Sequence, residues 1–115
     1  NADGYLKNVT RVKADFREII KQYAHQKDVV YLCDPPYIMT SQKGYKQSDT
    51  FRLADFIELL ELIQNKPAIL FSSTKSESDA LLPLYFKPEQ IKRFQYRTSS
   101  APNQRYIELM YLLNI

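Results

Sequence analysis

The residues best suited to chemistry in this chain are Asp34-Pro35-Pro36-Tyr37, which directly follow the apolar run Val30-Tyr31-Leu32-Cys33. Each proline fixes its own φ and lacks an N–H, so the tetrapeptide is a stiff, extended turn, rich in acceptors and poor in donors. A carboxylate oxygen of Asp34 and the carbonyl of Pro35 can together accept both hydrogens of one amino group, with the flat face of Tyr37 beside it. The arrangement suits an amino group conjugated to a ring, which is a poor nucleophile because its lone pair is delocalised. Two acceptors drawing on its hydrogens favour a pyramidal nitrogen whose lone pair can be aimed at an electrophilic methyl. The carboxylate also stabilises the positive charge that develops on nitrogen, and in-line positioning supplies much of the rest. Asp34 need not be a strong base, because the amine becomes acidic only after transfer. The bland alternative is a strand that stops in a proline turn, with Asp34 satisfying local backbone donors.

Such a turn needs elements to hold it. Residues 28–33, built on the apolar run Val29–Cys33, predict a continuous, β-branched strand buried on both faces, which the two prolines must stop. Upstream, Phe16, Ile19, Ile20 and Tyr23 recur at helical spacing, with Asp15 placed as the cap. Residues 38–50 are polar, contain Gly44 and read as a loop. Leu53, Phe56, Ile57, Leu60 and Ile63 predict a second amphipathic helix, with Ser48, Asp49 and Thr50 as candidate caps and Asn65 and Pro67 at its end. Residues 68–72 read as a second buried strand, and Thr74-Lys75-Ser76-Glu77 has capping-box form and opens a short helix through Leu81 and Leu82. Residues 90–97 predict a strand, 98–104 a turn, and 105–113 a last strand antiparallel to its predecessor. Residues 5–13, marked by Val9 and Val12, are a further candidate strand. Alternating strands and helices predict an α/β architecture: a mostly parallel sheet with helices on both faces, closed by an antiparallel hairpin. Function in such sheets gathers at the carboxyl ends of the strands, where Asp34 and then Ser72-Ser73 stand.

Composition narrows the classes. With 115 residues, 44% of them hydrophobic and 25% charged, the chain reads as one globular domain rather than a disordered one. No apolar run approaches the roughly 20 residues that a membrane helix requires. A net charge of +3 permits nucleic-acid binding without arguing strongly for it. The two glycines, Gly4 and Gly44, stand too far apart for any glycine-rich phosphate loop. Cys33, the lone cysteine, reads as a small buried hydrophobe, and it cannot form a metal cluster with the lone His25. No secretory signal is visible, and cytoplasm is the default expectation. The chain opens on Asn1 without an initiator methionine and reads as a piece of something longer.

Asp34-Pro35-Pro36-Tyr37 after an apolar strand resembles the catalytic motif of amino-methyltransferases that use S-adenosylmethionine. The wider pattern is similar to the Dam-like adenine-specific DNA methyltransferases. Ala14-Asp15-Phe16 resembles their Asp-Phe pair, Ile69-Leu70-Phe71-Ser72-Ser73 their next strand, and residues 97–103 with Tyr106-Ile107-Glu108-Leu109-Met110-Tyr111 their closing hairpin. The likeness runs from about Val9 to Asn114, but only Asp34–Tyr37 is specific.

The resemblance implies a partial Rossmann-like sheet, with residues 1–115 forming the carboxyl-terminal half of a catalytic domain. It implies methyl transfer from S-adenosylmethionine to the N6 amino group of an adenine flipped out of double-stranded DNA. Asp34 and the Pro35 carbonyl, held by Pro36, would grip the amino group, and Tyr37 would stack on the base. Asp15, Phe16 and Asp34 would face the cofactor, and Tyr45 and Phe51 would lie in the loop that closes over the base. Phe16 also begins an apolar helix face, so core and cofactor roles both stay open. Lys43, Lys46, Arg52, Arg97 and Arg105 could meet phosphates, but each reads first as a solvated surface charge. Ser72-Ser73 departs from the Ser-Asn common in the family. The glycine-containing cofactor motif and the target-recognition region have no counterpart here. The expectation is therefore half an active site, inactive alone, that needs the amino-terminal half of the enzyme and exposes a sheet edge prone to self-association. Rival readings are an amino-methyltransferase acting on cytosine or ribosomal RNA guanine, and a non-catalytic binding module on the same fold.

Overall fold

In the computed structural model of the chain, the structure describes residues 7–36, 51–73, 77–101 and 104–115. Helix α1 (Phe16–Gln22) leads to strand β1 (Tyr31–Cys33), helix α2 (Leu53–Ile63) and strand β2 (Ala68–Ser73). A short helix α3 (Ser78–Leu81) runs into two 3-10 turns, Leu82–Leu84 and Pro88–Gln90, before the hairpin of β3 (Ile91–Ala101) and β4 (Gln104–Leu113).

The four strands lie in the order β1-β2-β4-β3. β1 and β2 are parallel, with Tyr31 opposite Ala68 and Cys33 opposite Leu70. β4 enters between β2 and β3 and is antiparallel to both. The sheet is therefore mixed, which corrects the mostly parallel sheet expected from the sequence. The returning arm of the hairpin sits inside the sheet, so its two pairings outnumber the one parallel pair.

The core forms on one side. Phe56, Leu59, Leu60 and Ile63 of α2 pack with Ile20 of α1, Leu82 and Phe86. They meet Ala68 and Leu70 of β2 and Leu109, Tyr111 and Leu113 of β4, the alternate residues that share one face of the sheet. Burial of this continuous apolar cluster is the main force holding the layers together.

Three more expectations need correction. Residues 9–13 form no strand, and Val9 and Val12 are 54% and 65% exposed, so neither has an apolar surface to pack on. The run 28–33 is a strand only at Tyr31–Cys33 and is not buried on both faces, since Val30 and Leu32 are exposed. Among the described residues it is an edge strand, and nothing covers its outer face. β3 continues to Ala101, where a turn was expected from residue 98, because each residue still finds a partner on β4 until a bulge near Ser99. The candidate caps Ser48, Asp49 and Thr50, and Thr74-Lys75-Ser76 of the second capping sequence, lie outside the described residues. α2 instead starts with the Asp55 carboxylate accepting from the Arg52 backbone N–H at 2.8 Å.

At the opposite end from Asp34, Asn114 closes the structure. Its φ of 59° lies in the left-handed region, which Asn tolerates better than most residues. From there its Nδ2 donates to the carbonyls of Gln64 at 3.0 Å and Lys66 at 2.9 Å, satisfying acceptors left over at the end of α2.

Candidate functional site

Because β1 and β2 are parallel, both end at the same edge of the sheet. The chain leaves β1 at Cys33, level with Leu70, while β2 runs on to Ser73. Asp34 is exposed at this exit, with Pro35 and Pro36 half-buried behind it. A cavity of about 810 Å³ lies between this turn and α1, and its wall includes Asp15, Phe16, Asp34, Pro35, Pro36 and Phe51. Segments that are distant in sequence thus share one concave surface of the size that takes small organic ligands.

The α1 side of the cavity is built by local capping. Asp15 is extended and its Oδ1 accepts from the Arg17 N–H at 2.9 Å, which starts the helix. Phe16 is half-buried, its ring 6.1 Å from that of Phe51, which in turn lies edge-on to the core residue Phe56 at 6.4 Å. Phe16 therefore belongs both to the packing and to the cavity wall.

The sequence reading missed Arg17. Its guanidinium bonds Asp15 at 3.1 Å and pairs with Asp55 and Glu58 of α2, while covering the Phe16 ring with its carbon 4.4 Å from the ring centre. Hydrogen bonds from Arg17 to these carboxylates raise its own pKa further, and Asp55 is held below the usual carboxylate range by the Arg52 N–H and then by Arg17. Asp55 and Glu58 share a face of α2 by their spacing. That pattern is visible in the sequence, but its partner is not.

β1 supplies the floor. Tyr31 donates to the Ile20 carbonyl at a long 3.4 Å, joining β1 to α1. Cys33 lines the cavity, and burial pushes its thiol up to about 11, so it stays protonated and poorly nucleophilic at neutral pH. Ser72 is buried, with its Oγ 2.6 Å from that of Ser78, a contact that ties β2 to α3. Arg52 and Arg97 are exposed. Tyr37, Lys43, Tyr45 and Lys46 lie outside the described residues.

The chain is similar to a Haemophilus influenzae protein that carries the name "Putative methyltransferase", with 45% identity over 76 residues, or 66% of this chain. The match covers 25% of that relative, so the chain spans about a quarter of its length. No family model and no solved structure matches the chain. The relative's name gives methyl transfer as its own class of activity and says nothing of the group methylated. No described helix is long and apolar enough to cross a membrane.

Proposed function

We propose that this chain is the carboxyl-terminal portion of an S-adenosylmethionine-dependent methyltransferase acting on the N6 amino group of adenine in double-stranded DNA. The observation that carries the reading is the single cavity shared by Asp15-Phe16 and Asp34-Pro35-Pro36. The lining fits the cofactor. Phe16 and the apolar wall of β1 suit a flat heterocycle, and the carboxylates of Asp15 and Asp34 suit hydroxyl, amino and sulfonium groups. Bound there, the cofactor would supply an electrophilic methyl group.

The residues of the chain would then do the following. Asp34 and the Pro35 carbonyl accept the two amino hydrogens of the base and turn its nitrogen lone pair toward the cavity. Asp34, exposed at the strand end, offsets the charge that grows on nitrogen. Pro35 and Pro36 hold that carboxylate without competing donors. Tyr37 stacks on a base drawn out of the duplex, a contact worth about 1–3 kcal/mol. Phe51 closes the aromatic side of the same cavity, and Tyr45 would add a second aromatic contact to the base. The remainder of the enzyme would bring the rest of the cofactor pocket and the recognition of the DNA site.

The test is calorimetric titration of S-adenosylmethionine into this chain and into a longer protein that contains it, followed by methyl transfer to adenine-containing duplex DNA. Tight binding by the longer protein alone, with transfer reduced at least 100-fold by Asp34→Ala (about 2.7 kcal/mol), is the expected result. Tight binding by the 115-residue chain would overturn the half-site reading. Transfer unaffected by Asp34→Ala would overturn the chemistry.

A further inference from the structure

We infer that Arg17 is a positioning residue for the cofactor: from a frame supplied by α2, it fixes the Asp15 carboxylate in the cavity wall. The inference rests on the methyl-transfer reading and adds to it the residue that shapes the cofactor side of the site.

The backbone of Asp15 is set by α1. Its carbonyl accepts from the Glu18 N–H at 3.1 Å and the Ile19 N–H at 3.3 Å. The Arg17 backbone N–H donates to Oδ1 at 2.9 Å, which caps the helix but leaves the carboxylate free to turn about that bond. The guanidinium removes this freedom. Its Nη1 donates to Oδ1 at 3.2 Å and to Oδ2 at 3.1 Å, so both oxygens are held. The Asp15 side chain is still 48% exposed, and an ionised carboxylate accepts about four hydrogen bonds, which leaves an acceptor position for a ligand donor.

The guanidinium is itself held from α2 and from the Phe16 ring. Nε donates to Glu58 and Nη2 to Asp55, both on α2, and the guanidinium carbon lies 4.4 Å from the ring centre. Asp55 is fixed by the Arg52 backbone N–H at 2.8 Å, and α2 is anchored by Phe56, Leu59, Leu60 and Ile63 in the core. The core thus orients α2, α2 orients the guanidinium, and the guanidinium orients Asp15. As a stabiliser the cluster is modest, since the Arg17 side chain is 28% exposed and water screens its ion pairs. As a frame it is exact in the way a ligand site needs, because a binding group must stay within about 0.5 Å of its productive position. A planar fork of donors meets that demand, whereas an ammonium on a flexible stem does not.

The test is calorimetric titration of S-adenosylmethionine into the longer protein that contains this chain. The native form is compared with Arg17→Lys, Glu58→Ala, Asp15→Asn and Asn114→Ala, and circular dichroism checks that each variant folds. Arg17→Lys is expected to raise Kd about tenfold. Glu58→Ala, which frees one edge of the guanidinium from outside the cavity wall, should raise it about threefold. In the Asp15→Asn background Arg17→Lys should add less than about twofold, because Arg17 acts through Asp15. In transfer assays KM for the cofactor should rise with Kd while kcat changes far less. Asn114→Ala loses its bonds to Gln64 and Lys66 at the far end of the structure, so it lowers stability and leaves Kd unchanged. Glu58→Ala carries the test if Arg17→Lys does not fold. The inference is overturned by a Kd indifferent to both Arg17→Lys and Glu58→Ala, by full additivity with Asp15→Asn, or by an equal loss in Asn114→Ala. Failure of the native longer protein to bind the cofactor would instead overturn the methyl-transfer reading, and this inference with it.

Discussion

The guanidinium carbon of Arg17 stands 4.4 Å from the centre of the Phe16 ring, so the residue that ties α1 to α2 also roofs the aromatic wall of the cavity. Arg17→Ala is expected to lower stability by about 1–2 kcal/mol, more than an exposed ion pair because Asp55 and Glu58 would then face each other uncompensated. Arg17→Lys should recover only part, since an ammonium cannot fork to two carboxylates while lying flat on a ring. Urea unfolding measures both, and a double-mutant cycle with Asp55→Asn isolates the pair. Additive effects of the two substitutions would show that the pair is not coupled.

Tyr111 is buried in the core, yet its hydroxyl donates to Asp79 of α3 at 2.6 Å, and Arg93 grips the same carboxylate twice at 2.9 Å. Tyr111→Phe should cost about 1 kcal/mol, the usual net worth of one hydrogen bond. Asp79→Ala should cost about 2 kcal/mol, because it leaves the buried hydroxyl without this acceptor. A larger loss for Tyr111→Phe than for Asp79→Ala, measured by denaturant titration, would contradict this account.

Asn114 separates two effects. Asn114→Gly removes the bonds to Gln64 and Lys66 but keeps the left-handed backbone at little cost. Asn114→Ala adds a Cβ penalty of about 1 kcal/mol. Alanine should therefore be less stable than glycine by about that amount, and both less stable than the native chain. Asn114→Asp should be worst, since it sets a carboxylate against the carbonyl end of α2. Thermal melts of the three variants give the order directly.

Acid should unfold the chain through two carboxylates. Asp55, hydrogen-bonded by the Arg52 N–H and Arg17, and Asp79, hydrogen-bonded by Arg93, both titrate below their ordinary value of 3.8. The unfolded chain binds these protons more readily than the folded one, so the stabilisation is complete above that value and is lost as pH falls through the folded pKa values. Tm should be nearly flat from about pH 5 to 7 and fall below about pH 4. Asp79→Asn should flatten part of that decline. The effect is modest, because the Asp79 side chain is 50% exposed and water screens its pairing.

Local order was legible in the sequence. Asp15 before Phe16 marked a helix start, and the Asp15 side chain caps it. The spacing of Phe56, Leu60 and Ile63 marked the buried face of α2. Pro35 and Pro36 marked the end of β1, and residues 105–113 marked a strand antiparallel to the one before. Each of these depends on neighbours within a few residues, where capping, helical period and missing donors act.

What the tertiary structure alone decided depends on distant partners. An apolar run such as Val29–Cys33 is equally consistent with a strand covered on both faces and with an edge strand covered on one, and only the packing of Leu32 distinguishes them. The insertion of β4 between β2 and β3 made the sheet mixed, a matter of which edge the returning chain found. Arg17 could be paired with Asp55 and Glu58 only once α1 and α2 were laid side by side. By itself the sequence determined which residues could do chemistry and which short elements would carry them. Bringing Asp15-Phe16 to the same cavity as Asp34 required the burial of one shared core, a cooperative effect that no single stretch of residues encodes.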